Sequence, residues 1–490
     1  MIHAQMVIGN ETVDASGGLT LEAINPFDGK AWGSVPVASA ADVDAAVAAA
    51  RAAFPGWRAT PGVERARLLH RLADAVEQHA DRLAEWETTD NGKVIRETRP
   101  QMTFVARNLR FFAGYADKLY GRTIPLDNPA VFDYTVRRPR GVCALITAWN
   151  SPLALLANKL PPALAAGNTI VVKPSEHASI TTTELARLAV EVGFPPGVIN
   201  VITGGAETGD LLTRHPGIDM ISLTGGGAVG RRIAANAAER LIPVSLELGG
   251  KSPNIVFADA DIRRAVQGAV AGIFGAAGQT CVAGSRLLVQ RSVYTQVRDA
   301  VAERSRRVQL GDPRDPATEM GPVANRPQFE RILSLIDAAK DSGAALVAGG
   351  GRAHGDGLEA GFYIQPTVFA DVDPSSGLAQ DEVFGPVLSV IPFDDEDEAV
   401  RIANSTQYGL AAGVWTSDVS RTFRMTEALE AGVVWVNTYR TSAAQAPFGG
   451  TKQSGYGRER GAEALDDYTY VKNVMVDTST EDRDPFVIRT

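Results

Sequence analysis

The chain has 490 residues, 45% hydrophobic and 21% charged, with a formal net charge of -9. That is an ordinary globular mixture, long enough for two or three domains at roughly 100–200 residues each, and its acidic balance offers no basic face to nucleic acid or anionic lipid. Two cysteines, Cys143 and Cys281, and scattered histidines exclude a disulfide-stapled scaffold and leave no metal-ligand spacing.

The opening MIHAQMVIGN has no basic region followed by an apolar run. No signal peptide is expected, and with so few cysteines a reducing, cytoplasmic setting is. After a short strand region the first ~120 residues read as helical. Ser39 and Asp42 form a capping box, and Val43, Val47, Ala50 and Phe54 recur at helical spacing. A second amphipathic helix starts near Val63, with Leu68, Leu69, Leu72 and Val76 on one face. Both read as core packing. Gly121–Arg140, with its alternating DYTVRRP, predicts a protruding hairpin. The uncharged run from Gly141 to Asn158 carries Asn150, Ser151 and Pro152 at its middle, so it reads as a buried strand–turn–helix and not a membrane span.

From Gly141 short apolar runs alternate with helical stretches: GVCALITAW, NTIVVKP, GVINVIT, DMISLTG and PVSLELGG. This is the grammar of βαβ units, a parallel sheet and a doubly wound nucleotide-binding arrangement. After Gly250 the alternation resumes in SPNIVFA, RLLVQ, ALVAGG, SVIPF, AAGVWT and GVVWVN, a second α/β unit reaching about Asn437. The tail after Tyr468 reads as extended.

Several segments carry chemistry. LTGGGAVG lies between a strand-like and a helix-like run, and Gly225, Gly227 and Gly230 match G-x-G-x-x-G there. Such a turn lets a diphosphate approach a helix N-terminus, though a ligand-free βα turn has the same pattern. An acidic residue about 20 positions on would hold the ribose, and Glu247 in LELGGKSP sits near that spacing. Cys281 in GQTCVAGSR has small neighbours that leave space for a substrate; a buried structural thiol is the plainer reading. Asn150 in ITAWNSP ends a β-like run, where an amide donates to a developing oxyanion or merely forms a turn. Lys173 and Glu176 in IVVKPSE follow a buried-looking strand, where parallel sheets bind ligands. DEVFGPV and the glycine-studded PFGGTKQSGYGRERG complete the set.

In this order, and over nearly the whole chain, these motifs resemble the aldehyde dehydrogenase superfamily. The resemblance implies an α/β fold. It has a Rossmann-like dinucleotide-binding domain (1–120 and 141–247), an α/β catalytic domain (248–448) and a small β oligomerisation arm (121–140 and 468–490). It implies Cys281 as nucleophile, Glu247 as general base in place of a ribose ligand, and Asn150 in the oxyanion hole. Lys173 and Glu176 would hold the adenosine ribose, and Glu382 and Phe384 the nicotinamide side. Further cofactor contacts fall to Ile146, Trp149, Ser175, Gly225, Gly226, Gly230 and Leu248. Many members have serine where this chain has Gly226, which removes one hydroxyl contact to the diphosphate.

The implied reaction is oxidation of an aldehyde to its acid through a thiohemiacetal and a thioester. A carboxylate at Glu176 accepts ribose hydroxyls and repels a 2′-phosphate, so NAD is expected over NADP. The expected partners are a small aldehyde and further copies of the same chain, as a dimer or tetramer. Transfer of the thioester to coenzyme A, or a non-catalytic binding protein on the same fold, are the alternatives. Asn437–Pro447 would line the substrate mouth, with Tyr439 and Arg440 hinting at an aromatic, cyclic or polar-tailed aldehyde, or simply packing.

Overall fold

The structure, a computed structural model, describes residues 1–355, 357–482, 484, 486 and 487. Two open sheets organise them. The first runs, edge to edge, Gly455–Tyr456, Val244–Glu247, Met220–Thr224, Val142–Ile146, Thr169–Lys173, Ile199–Val201, Met6–Ile8 and Glu11–Val13. Its five middle strands pair in parallel, and the outer three are antiparallel additions. VCALI, TIVVK and MISLT are buried at every position, as expected of parallel strands covered on both faces. The winding reverses between Val142–Ile146 and Met220–Thr224. That places a crevice at their carboxyl ends, the usual ligand site of an open α/β sheet.

The second sheet runs Ala345–Ala348, Thr367–Ala370, Val387–Phe393, Arg286–Gln290, Pro253–Val256, Ala411–Trp415 and Val433–Val436. All neighbours are parallel except Ala345–Ala348, which pairs antiparallel with Thr367–Ala370. Thr367–Ala370 has no counterpart among the predicted strands. Its four residues, a threonine and three apolar side chains, sit between Pro366 and Asp371 and show no period of their own.

Ala40–Ala59 begins at Ser39 with the expected capping box. Gly62–Gln78, Ala80–Asn91 and Ile95–Ala113 follow, and they share one core with Pro152–Ala166. Leu69, Leu72, Met102, Leu109 and Leu153 are buried in it, each contributing about 1.5–3 kcal/mol. This core fixes the loop between Val142–Ile146 and Pro152–Ala166, which carries Trp149 and Asn150.

The predicted hairpin and tail come together as one arm. Thr469–Asp477 pairs antiparallel with Val131–Pro139 along its full length, and Thr123–Ile124 extends the sheet. Phe132, Val471 and Met475 stand exposed on it. Of the tail predicted at 468–490, residues 483, 485 and 488–490 lie outside the described residues. No helix of the described residues is long and apolar enough to cross a membrane.

Candidate active site

At the crevice of the first sheet lies a cavity of about 790 Å³. Ile146, Trp149, Lys173, Ser175, Glu176, Gly225 and Gly226 line it, seven of the expected cofactor contacts. Gly226 is the N-cap of Gly227–Ala238 and no side chain caps that helix, so its first amides point unclaimed toward the cavity. A Cβ at Gly226 would meet no atom within 4 Å, while one at Gly225 would lie 3.2 Å from Leu223. The buried hydroxyls of Thr147 and Thr224, also on the wall, have no partner among the described residues. Lys173 Nζ donates to Pro174 O at 3.0 Å and lies 3.8 Å from the Glu176 carboxylate; burial lowers its pKa. Free helix amides, open hydroxyls, a carboxylate and the apolar Val229 and Ile233 fit a diphosphate, a ribose and a flat ring.

Gly230 and Leu248 do not line this cavity. A Cβ at Gly230 would come 2.7 Å from Leu248 Cδ2, so the pair seats the helix against the sheet edge. Val229 and Ile233, one helical turn apart, line the wall and were not singled out in the sequence. His177 and Arg232 were also missed.

Cys281 follows a tight turn, Gly275–Gly278, in which Ala276 and Ala277 take φ of 52° and 53°. Left-handed alanines cost roughly 1–2 kcal/mol each, so the turn is held from outside. Ala276 N donates to Glu97 at 3.1 Å, and a Cβ on Gly278 would collide with Gly385 O at 2.0 Å. Asn150 Nδ2 donates to Gln279 O at 2.9 Å, and Gln279 accepts from Ala324 N at 2.9 Å. The amide predicted for the oxyanion hole therefore lies two residues from the thiol.

Glu247 ends its strand almost wholly buried, and neither carboxylate oxygen has a hydrogen-bond partner among the described residues. The glycines of two motifs make room around it and its neighbours. A Cβ on Gly449 would sit 2.7 Å from Glu247 Oε1, one on Gly249 2.3 Å from the Glu382 carboxylate, and one on Gly250 2.5 Å from Cys281 O. Glu382 Oε1 accepts from Gly250 N at 2.9 Å. Phe384, with φ of 54°, sets its ring perpendicular to Trp149 at 5.4 Å. That contact joins the thiol region to the groove.

The charges of this centre act on one another. Burial first, then the negative Glu247 and Glu382, pushes the Cys281 thiol up to about 12. Burial and the neighbouring Glu459 hold Glu247 well above the usual carboxylate range. A thiol, an amide and a basic carboxyl thus converge beside a dinucleotide-sized groove.

Residues 13–474 match the profile of the aldehyde dehydrogenase family. The chain belongs to that family. Over 495 residues, covering all of both chains, it is 47% identical to (Z)-2-((N-methylformamido)methylene)-5-hydroxybutyrolactone dehydrogenase of Acinetobacter baylyi. It is 46% identical to an aldehyde dehydrogenase of Emericella nidulans, covering 96% of this chain and 94% of that one. Among solved structures, betaine aldehyde dehydrogenase of Staphylococcus aureus in complex with NAD+ is 38% identical with a TM-score of 0.97, covering 99% and 97% of the two chains.

Two further parts of this aldehyde dehydrogenase's centre were missed in the sequence. Lys159, fully buried in Pro152–Ala166, pairs with Glu459 Oε1 at 2.5 Å and donates to Ser222 Oγ at 3.0 Å. Asn158 Nδ2 donates to Glu459 Oε2 at 3.0 Å. A lysine inside the apolar LLANKLPPAL was the available signal, since a buried cation needs a carboxylate elsewhere in the chain. Beneath the Trp149–Ser151 loop, Lys93 Nζ donates to Ser151 Oγ, which donates to Asn150 O at 2.7 Å. Asn91 Nδ2 reaches Trp149 O at 3.3 Å, and Glu87 accepts from Leu153 N at 3.2 Å.

At the expected substrate mouth, Tyr439 and Arg440 differ. Tyr439 donates its hydroxyl to Val282 O at 3.0 Å and packs under the Cys281 segment, where Cβ atoms on Gly272 and Gly284 would touch it at 3.0 Å. Arg440 lines a second cavity, of about 400 Å³, and lies 3.6 Å from Glu97.

Proposed function

We propose that this chain oxidises an aldehyde to its carboxylic acid, with Cys281 as nucleophile, Glu247 as base and NAD as hydride acceptor. The observation that carries this reading is the Glu247 carboxyl, buried, unpartnered among the described residues and acting electrostatically on the Cys281 thiol. A thiol held near 12 needs a base, and a carboxyl raised above its usual range is a stronger one.

Cys281 Sγ, its proton taken by Glu247, adds to the carbonyl carbon. The carbonyl oxygen becomes an oxyanion, which the Asn150 amide and the Cys281 backbone N–H stabilise. Bound NAD supplies a hydride acceptor in the groove. Loss of hydride leaves the acyl group on Cys281 as a thioester. Glu247 then takes a proton from water, the hydroxide adds to the acyl carbon, and Cys281 departs as thiolate. Lys159 and Glu459 border Glu247 and give its proton a buried outlet.

Residues 1–120 and 141–247 form the dinucleotide-binding unit in this reading, and 248–448 the catalytic one. Lys173 and Glu176 hold the adenosine ribose, Gly225 and Gly226 the diphosphate, and Glu382 with Phe384 the nicotinamide side. Glu176 favours NAD over NADP by repelling a 2′-phosphate. The exposed Phe132, Val471 and Met475 of the arm are suited to pairing with a second copy.

Glu247→Gln tests the reading. The variant should slow both the NADH burst of acylation and the later hydrolysis, with any acyl group found by mass spectrometry on the Cys281 peptide. Unimpeded turnover, or an acyl group elsewhere, would refute it. Acid yield independent of added coenzyme A separates hydrolysis from acyl transfer, and turnover with NADP in place of NAD tests the cofactor assignment.

A further inference from the structure

Arg460, half-buried, is used differently from the buried Arg65 and Arg286. Arg286 spends its donors on the carbonyls of Lys251, Ile402 and Ala403, and Arg65 on those of Thr60, Ala116 and Ala165. These are structural cross-links in which the fork is filled by backbone. Arg460 Nε instead donates to the neutral Asn158 Oδ1 at 3.1 Å and Nη1 to Ser442 Oγ at 2.6 Å. Its Nη2 has no hydrogen bond, and its guanidinium no ion pair, among the described residues. The neighbouring Arg440, by contrast, faces Glu97.

The surroundings hold Arg460 in place without neutralising it. Its guanidinium lies between the rings of Phe104 and Phe448, 4.9 and 4.8 Å from their centroids. Stacking fixes the plane and shields it from water while leaving the donor edge free. Phe448, on which it stacks, precedes Gly449, whose Cβ would sit 2.7 Å from Glu247 Oε1, and its charge also acts on Cys281 and Glu247, so it stands beside the proposed reacting centre. A half-buried guanidinium with its plane fixed and an open edge binds a carboxylate by charge-assisted hydrogen bonds.

We propose that Arg460 sets substrate class: it binds the remote carboxylate of an aldehyde acid whose carbonyl is presented to Cys281. The substrate is then a semialdehyde of a dicarboxylic acid and the product a dicarboxylate. This rests on the reading of Cys281 as the nucleophile.

The test measures kcat/KM for succinic and glutaric semialdehydes against butanal and pentanal, in the parent enzyme and in Arg460→Gln and Arg460→Lys. The parent should favour each semialdehyde over the alkanal of equal length by about 10- to 100-fold, the range of one charge-assisted hydrogen bond. Arg460→Gln should lose most of that preference and Arg460→Lys only part. No preference in the parent, or equal losses on both substrate sets in Arg460→Gln, would overturn the proposal and leave Arg460 as a support for Asn158 and Glu459. A second measurement stands apart from turnover: the rate of Cys281 alkylation by iodoacetate relative to iodoacetamide. Arg460→Gln should lower that ratio about tenfold; an unchanged ratio refutes the assignment. If neither aldehyde set is oxidised, the dehydrogenase reading fails, and the alkylation ratio still decides whether Arg460 recruits anions.

Discussion

Two buried polar regions meet at the loop carrying Trp149 and Asn150, and they are built on opposite plans. Below the loop, Glu87, Asn91, Lys93 and Ser151 are matched to one another and to backbone. Above it, both Glu247 oxygens lack partners among the described residues, Arg460 keeps an open donor edge, and the Cys281 thiol faces carboxylates. Matched groups in a water-free interior fix position; unmatched ones keep their interaction free energy for whatever enters. In the proposed reading the lower region is a mount and the upper one the reaction centre.

The sharpest test of that contrast uses the two cysteines. Cys281→Ala should lower kcat by about 10⁴-fold or more with little change in stability. Cys143→Ala, deep in the first sheet, should cost about 1 kcal/mol of stability and spare turnover. Steady-state rates and denaturant melts of both variants decide it. Comparable loss of activity in both would erase the distinction.

Lys159→Met should come next, destabilising the fold by about 3–5 kcal/mol because Glu459 is left as an uncompensated buried charge. Urea unfolding measures this, and a change under 1 kcal/mol would show that water reaches the pair. Asn150→Ala should lower kcat about 10²–10³-fold, the usual cost of one oxyanion donor. If KM rises while kcat holds, the amide binds the ground state instead.

A separate effect lies in pH. Burial raises Glu87 and Asp90 to about 7, so between the unfolded carboxyl range and that value the folded state holds more protons than the unfolded one. Stability should therefore fall as pH climbs from about 4.5 to about 7, and Glu87→Gln should flatten that slope. At the centre burial also raises a pKa, and there the readout is a rate that rises with pH. A thiol near 12 makes iodoacetamide modification of Cys281 speed up steadily as pH rises through neutrality. A plateau near neutral pH would mean that a positive neighbour dominates the thiol.

Much of the fold could be read from the chain because its signals are local. A capping box at Ser39, wholly apolar runs such as VCALI and TIVVK, and the strand–glycine–helix turn at Gly225 each depend on neighbours within a few residues. What was missed is non-local: Met6–Ile8 and Gly455–Tyr456 join the first sheet across hundreds of residues, and Thr367–Ala370 is a strand only because Val387–Phe393 lies beside it. Cys281, Glu247 and Asn150 stood out through motif resemblance, and tertiary structure brought them together. Lys159 and Lys93 carried no motif, and Glu459 and Arg460 lay in PFGGTKQSGYGRERG without standing out from its glycines.

The sequence by itself determined the kinds of element, the glycine-rich strand–helix turn and the motifs that carry the candidate thiol, amide and acid, since residue type and short spacing fix those. Only the tertiary structure decided which charges are answered and which are left open. Burial and pairing are properties of space, and Glu247 and Glu459 are the same residue type until one is ion-paired to Lys159 and the other is left without a hydrogen bond among the described residues.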